Sequence, residues 1–225
     1  MPGSPATLEP MKRLLEGYAK FRREVFPQWK DRFHLLAELQ RPETLLITCA
    51  DSRVVPTMIF QAEPGEMFLC RTAGNVVPPH GYMPGGVSAT VEYAVEVLNV
   101  RHVVVCGHSD CGAVKAMFDQ KDMTRLPLTA KWLGLMEPAW KYLDPACGSD
   151  GHSRYTGLIY ANVVAQLQHL KTHPEVARRL ADGNLQLHGW YYDILSGRVE
   201  AYDENQRRFR PLEEAAAAEI STSKP

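Results

Sequence analysis

The sequence predicts an α/β fold: a mostly parallel central β-sheet flanked by α-helices, with an N-terminal helical arm. Three observations predict it. Thr44-Leu45-Leu46-Ile47-Thr48 and Val103 to Val105 are short β-branched and aliphatic runs of the kind that suits strands covered on both faces. Between them Val87, Val91, Ala94, Val95 and Leu98 form one helical stripe, which makes a βαβ unit with parallel strands. A further amphipathic stretch stands ahead of the first strand, where its stripe is free to cover the sheet or a second subunit.

The arm comes first. Leu8, Met11, Leu15, Tyr18 and Phe21 fall at three- and four-residue spacing, which predicts a helix to about Val25. Pro27 interrupts it, and a weaker helical stretch runs from Trp29 to Leu39. After the strand at 44–48, Pro56 opens a short helix or turn. Met67 to Cys70 predicts a second strand that runs into a loop, Arg71-Thr72-Ala73-Gly74-Asn75. Val76 to Gly86 holds three prolines and three glycines and reads as irregular. The helix of the βαβ unit begins near Gly86, and its strand ends at Gly107, which frees the backbone to turn. A helix follows over 113–118. Lys121 to Gly151 has no clear period, with Trp132, Leu135 and Trp140 as packing residues. Gly157 to Leu170 predicts a helix with Ile159, Val163, Leu167 and Leu170 on one face. Pro174 starts another, ending near Gly183. Leu185 to Trp190 is a strand, and Ser196-Gly197 suits a hairpin turn into Val199 to Tyr202. This gives an arm at 1–38, the main α/β domain at 39–210 and a tail at 211–225.

Composition excludes several function classes. A net charge of −1 offers no electrostatic case for nucleic acid or an anionic membrane. No apolar run approaches a membrane span, and the N-terminus lacks the pattern of a secretory signal. Five scattered cysteines do not make a disulfide framework, so reduced thiols in the cytoplasm are expected.

The chemistry lies at two strand ends. His108 and Cys111 follow one strand, and Cys49 directly follows another. Parallel neighbours about 4.8 Å apart would bring all three to one crevice beyond the strands' C-terminal ends. Two thiolates and an imidazole suit one Zn²⁺, and three protein ligands leave the fourth tetrahedral position open, as catalytic sites do. Cys70 and Cys106 lie inside strands and read as packing residues, and Cys147 has no evident partner. Asp51 is two residues from Cys49 and is a possible fourth ligand. Zinc with two thiolates and a neutral imidazole is formally neutral, so an added carboxylate needs a counter-charge. Arg53 supplies one with a fork that matches a carboxylate. Bound to zinc, Asp51 closes the site; paired with Arg53, it leaves room for water. An open position generates zinc-bound hydroxide near neutral pH, and an Asp51–Arg53 dyad can orient that hydroxide towards a small uncharged electrophile. The residues alone support zinc-assisted hydration or hydrolysis.

Cys49-Ala50-Asp51-Ser52-Arg53 and His108-Ser109-Asp110-Cys111-Gly112 resemble the two signatures of the β-class carbonic anhydrases. Arg71 to Asn75, Glu92 to Val95 and Leu187 to Trp190 are similar to family segments in the same order. The resemblance implies zinc on Cys49, His108 and Cys111, with Asp51 and Arg53 catalytic, and reversible hydration of carbon dioxide to bicarbonate and a proton. It implies that Gln40 hydrogen-bonds substrate and that Gly112 and Gly74 let backbone approach the site. It also implies a homodimer or homotetramer in which N-terminal helices embrace the partner. One branch of the family closes its zinc with the aspartate and carries a tryptophan on the strand before the first cysteine. Leu46 stands at that place here, so the open form is expected near neutral pH. Ala161-Asn162 departs from a Glu-Asn pair common in the family. His80, His102 and His152 are candidate proton shuttles by residue type alone.

Three other readings compete. Relatives with similar ligands hydrolyse carbon disulfide or carbonyl sulfide. A structural zinc closed by Asp51 is a second alternative, against which Arg53 argues. A nucleotide-binding Rossmann domain is the third, and no Gly-x-Gly-x-x-Gly follows either strand.

Overall fold

In a computed structural model the described residues are 9–82, 85–145, 147 and 151–215. Leu8, the end of the C-terminal tail and the side chain of His152 lie outside them. The chain forms two compact units, residues 1–40 and 41–225.

In the first unit, helix α1 (Glu9–Lys20) runs through a π-helical turn at Phe21–Val25 into helix α2 (Phe26–Glu38). Pro27 does not break the arm as the sequence suggested. It sits at the start of α2 directly after the π-helical turn, whose i→i−5 bonding, Phe26 N–H to Phe21 O, accommodates the missing N–H within the continuous helix. Phe21, Phe26 and Phe33 pack ring to ring. Met11, Leu14, Leu15 and Tyr18 leave an apolar stripe exposed.

The second unit is built on a six-stranded sheet of β1 (Thr44–Cys49), β2 (Met67–Thr72), β3 (His102–His108), β4 (Gln186–Tyr192), β5 (Val199–Asp203) and β6 (Arg208–Pro211). The strand order is β2-β1-β3-β4-β5-β6. The first four are parallel, and β5 and β6 are antiparallel additions. The βαβ expectation holds, since β1 and β3 are parallel neighbours with Leu45 opposite Val103 and Ile47 opposite Val105.

Side chains alternate between two faces. Leu45, Ile47, Val103 and Val105 pack with Val91 of helix α4 (Gly86–Glu92), with Ala94 and Val95 of the π-helical segment Tyr93–Val97, with helix α7 (Gly151–Lys171) and with helix α8 (Pro174–Ala181). Leu46, Val104 and Cys106 face the other way, against Phe60, Met67, Trp190 and Tyr192. The remaining helices are short: α3 (Pro56–Ile59), α5 (Gly112–Phe118) and α6 (Pro127–Gly134).

Five local expectations need correction. β2 continues through Arg71 and Thr72, which were read as loop. The helix expected from Gly157 begins at Gly151. Strand β6 was not foreseen, because Arg-Phe-Arg-Pro has little strand signal of its own. Gly107 is not a turn residue. It lies inside β3, and a Cβ there would sit 2.8 Å from Val163 Cγ2 and 3.3 Å from Ile159 Cγ2. Its neighbour Gly189 on β4 is crowded in the same way by Leu167 and Val163, each at 3.0 Å. The two glycines let α7 lie close on the sheet. Trp140 is 39% exposed and stacks on Phe118 rather than filling the core.

Among the described residues no helix is long and apolar enough to cross a membrane. Gly107→Ala should lower unfolding free energy by about 1–3 kcal/mol through overpacking. Gly134→Ala, with nothing near its Cβ, should leave stability unchanged or raised by up to about 1 kcal/mol. Urea titrations compare the two, and equal midpoints would contradict the close α7 contact.

Candidate metal centre

β1 ends at Cys49 and β3 ends at His108, so both side chains reach the C-terminal edge of the sheet. The chain then turns at Asp110, which takes the left-handed conformation at φ 53°, a region that Asp tolerates better than most residues. The turn brings Cys111 to the start of α5. The ligand atoms of Cys49, His108 and Cys111 all lie within 4.8 Å of one another, and all three residues are buried. The two sulfurs are 3.9 Å apart. That is too far for a disulfide. Two sulfurs each about 2.3 Å from one tetrahedral zinc would be about 3.8 Å apart.

His108 carries the clearest sign of a metal. Its Nδ1 donates to the Ser109 carbonyl at 2.8 Å. The carbonyl can only accept, so Nδ1 holds the proton and Nε2 presents its lone pair. Nε2 is fully buried with no hydrogen-bond partner, a costly arrangement unless something coordinates it. Ser109 is itself fixed, its N–H donating to Tyr192 O at 2.9 Å and its Oγ accepting from Ile194 N at 2.9 Å. Cys49's thiol is pushed down to about 4, first by a hydrogen bond from the Cys111 thiol and further by the Gly74 amide, against the effect of burial. The same contact raises Cys111. Cys106, by contrast, is pushed up to about 12 by burial and stays a neutral core thiol, while Cys70 lies buried in the core beside α4.

Asp51 is paired with Arg53. Arg53 Nε donates to Oδ1 at 3.0 Å and Nη2 to Oδ2 at 2.8 Å, while the Arg53 backbone N–H also reaches Oδ1 at 2.9 Å. The guanidinium holds the Asp51 carboxyl well below the usual carboxylate range. Oδ2 nevertheless lies only 3.9 Å from His108 Nε2, so the carboxylate borders the metal position without joining the cluster.

The sequence did not single out several supporting groups. Asp110 accepts from Arg53 Nη1 at 2.8 Å and through its carbonyl from Nη2 at 3.0 Å, tying the two ligand loops together. Arg71 donates to the carbonyls of Cys49, Asp51 and Val54 at 3.1, 2.7 and 2.7 Å, which fixes the path of the first loop. Tyr155 donates to Cys111 O at 2.9 Å. Along α7, Asn162, Gln166 and His169 bond Gly74 O, Val77 N and Val77 O. The available signal was three polar residues at helical spacing on an otherwise apolar face.

The shuttle candidates fare differently. His102 starts β3, about 20 Å along the strand from His108. His80 is bonded through its N–H to Thr172, beyond the end of α7, whose other end meets Cys111. Neither is at the site. Gly74 is at φ 73°, and a Cβ there would meet Met136 Sδ at 2.9 Å, whereas Gly112 has nothing within 4 Å. Gln40 follows α2 at the end of the first unit.

The profile of the carbonic anhydrase family matches residues 44–199, which contain every group just described except Gln40 and the last residues of the sheet. The chain belongs to the β-carbonic anhydrase family. It is 48% identical to a carbonic anhydrase of Pseudomonas aeruginosa over 91% of this chain and 93% of that one. It is 46% identical to carbonic anhydrase 1 of Escherichia coli O157:H7 over 90% and 92%. Among solved structures, the β-carbonic anhydrase CcaA is 40% identical with a TM-score of 0.85, covering 89% of this chain and 98% of that one. β-Carbonic anhydrases are zinc enzymes, and the Cys49–His108–Cys111 cluster of this β-carbonic anhydrase has the donor set and spacing for one zinc ion.

Cys49→Ser, His108→Ala and Cys111→Ser should each cut zinc from one ion per chain to near zero by elemental analysis. Cys70→Ala should retain the full ion. Retention in any of the first three would remove that residue from the ligand set.

Proposed function

We propose that this chain catalyses the reversible hydration of carbon dioxide to bicarbonate and a proton, with zinc held by Cys49, His108 and Cys111. The observation that carries the reading is Asp51 turned onto Arg53 beside a buried His108 lone pair. A closed structural site has no use for a carboxylate held next to the ion by its own cation. Zinc held there would supply Lewis acidity, lowering the pKa of bound water towards neutrality.

The protein's own groups do the rest. Asp51 is ionised throughout the neutral range and offers Oδ2 as a hydrogen-bond acceptor 3.9 Å from His108 Nε2. Arg53, clamped on its other side by Asp110, fixes the direction of that acceptor. Cys111, Val76, Met136 and Leu158 are fully buried in one apolar cluster with Cys49, which favours a small uncharged substrate over a hydrated ion. Gln40 and the Gly112 backbone are proposed substrate contacts on the family resemblance.

The assignment of residues 1–38 as an arm, 39–210 as the catalytic domain and 211–225 as a tail belongs to the same reading. So does a homodimer or homotetramer, supported by the exposed stripe of α1 and by a relative described as tetrameric. The near-neutral charge and the reduced cysteines support a cytoplasmic enzyme without nucleic-acid or membrane partners.

Stopped-flow hydration of carbon dioxide tests the function. Zinc-loaded, reduced protein should be active. Arg53→Ala should lose about 100-fold or more while keeping its zinc. An inactive zinc-loaded wild type would refute the reading, and an active Arg53→Ala would refute the dyad.

A further inference from the structure

Trp132 reaches the metal centre through a single peptide group. Its indole Nε1–H donates to the carbonyl of Ala73 at 2.9 Å. The N–H of that same peptide belongs to Gly74, and it donates to Cys49 Sγ at 3.4 Å. A donor on an amide's oxygen withdraws electron density and makes its N–H a stronger donor, the usual cooperativity of hydrogen-bond chains. The next carbonyl, Gly74 O, is held by Asn162 Nδ2 at 3.0 Å, and Asn162 in turn accepts from Gln166 at 2.9 Å. Gln166 closes the run by accepting the Val77 N–H at 2.8 Å. Asn162 and Gln166 are fully buried. The peptides on both sides of Gly74 are therefore oriented from outside, one by α6 and the other by α7.

Sterics set the same geometry. Gly74 has φ 73°, and Met136 Sδ and Ala113 Cβ lie 2.9 and 3.1 Å from where a side chain would begin. Any side chain there would strain the backbone and force Met136 to shift, so glycine lets the 73–74 peptide approach the sulfur with its N–H foremost. Trp132 itself lies on α6, and its neighbours Leu133 and Met136 are buried in the cluster that contains Cys49.

We infer that Trp132 is a positioning residue for the metal centre, tuning the Cys49 thiolate through the 73–74 peptide. The inference rests on Cys49 being a zinc ligand. Groups beyond the ligands orient them and adjust their donor strength, and here the adjusted ligand is a sulfur whose lone pairs the Gly74 N–H stabilises. Removing the indole N–H weakens that bond. The thiolate then gives up its electrons to a metal more readily.

The test uses the full-length protein with Co²⁺ in place of zinc. Trp132→Phe removes the N–H and keeps an aromatic ring. Trp140→Phe makes the same change at a tryptophan that stacks on Phe118 on the surface. In Trp132→Phe the thiolate-to-cobalt charge-transfer band should move to longer wavelength, and in the diamagnetic zinc form of the same variant the Gly74 amide proton should move upfield. Trp140→Phe should leave both in place. Band and amide unchanged in Trp132→Phe, or moved equally in Trp140→Phe, would overturn the inference. A wild type with no thiolate-to-cobalt band would overturn the ligand assignment beneath it as well. Should Trp132→Phe fold poorly, Trp132→Leu removes the same donor to Ala73 O with an apolar side chain, and a band and a Gly74 amide both unmoved there would overturn the inference.

Discussion

The in-register parallel pairing of β1 with β3 is the constraint on which the rest depends. Leu45, Ile47, Val103 and Val105 are fully buried on one face, and Leu46, Val104 and Cys106 are nearly so on the other. A slip of one residue would exchange the two faces. It would also move Cys49 about 3.3 Å along the strand relative to His108, enough to break up the Cys49–His108–Cys111 cluster. Core packing and ligand geometry therefore select the same register. Helix α7 adds to this, since its close seat on Gly107 and Gly189 places Tyr155 under Cys111 and Asn162 under Gly74.

Charge is distributed with the same economy. A zinc ion with two thiolates and a neutral imidazole is formally uncharged, and the charges beside it include Arg53, the two carboxylates that Arg53 bridges, and Arg71 behind the first loop. One planar cation serves Asp51 and Asp110 at once, which fits the fork geometry of a guanidinium and not the point charge of a lysine. Arg71 spends its donors on three backbone carbonyls, so the loop that presents Asp51 is held by its own backbone as well as by the dyad.

Much of this was legible in the sequence because it is written in local patterns. Unbroken aliphatic runs gave the parallel strands, and their shared ends gave Cys49 and His108 as neighbours. Two residues beyond a ligand, the Asp51–Arg53 pair was visible as charge chemistry. What was not legible depends on contacts distant in sequence. Gly107 was misread as a turn because its crowding comes from Val163, and only the packed helix reveals it. Asp110 carries the turn instead, and its bond to Arg53 spans two loops. Trp132 looked like an ordinary packing residue, since nothing local tells that its N–H meets Ala73 O. The polar spacing of Asn162, Gln166 and His169 was present, but an apolar helix gave no hint of the buried carbonyls it faces.

The central claim is that three side chains hold the metal while Arg53 keeps Asp51 off it. A crystal structure of the zinc-loaded protein above pH 8 tests this most directly. The account predicts zinc on Cys49, His108 and Cys111, with Asp51 in its bidentate pair with Arg53 and a solvent atom in the fourth position. Asp51 bound to zinc at that pH, with Arg53 turned away, would contradict it.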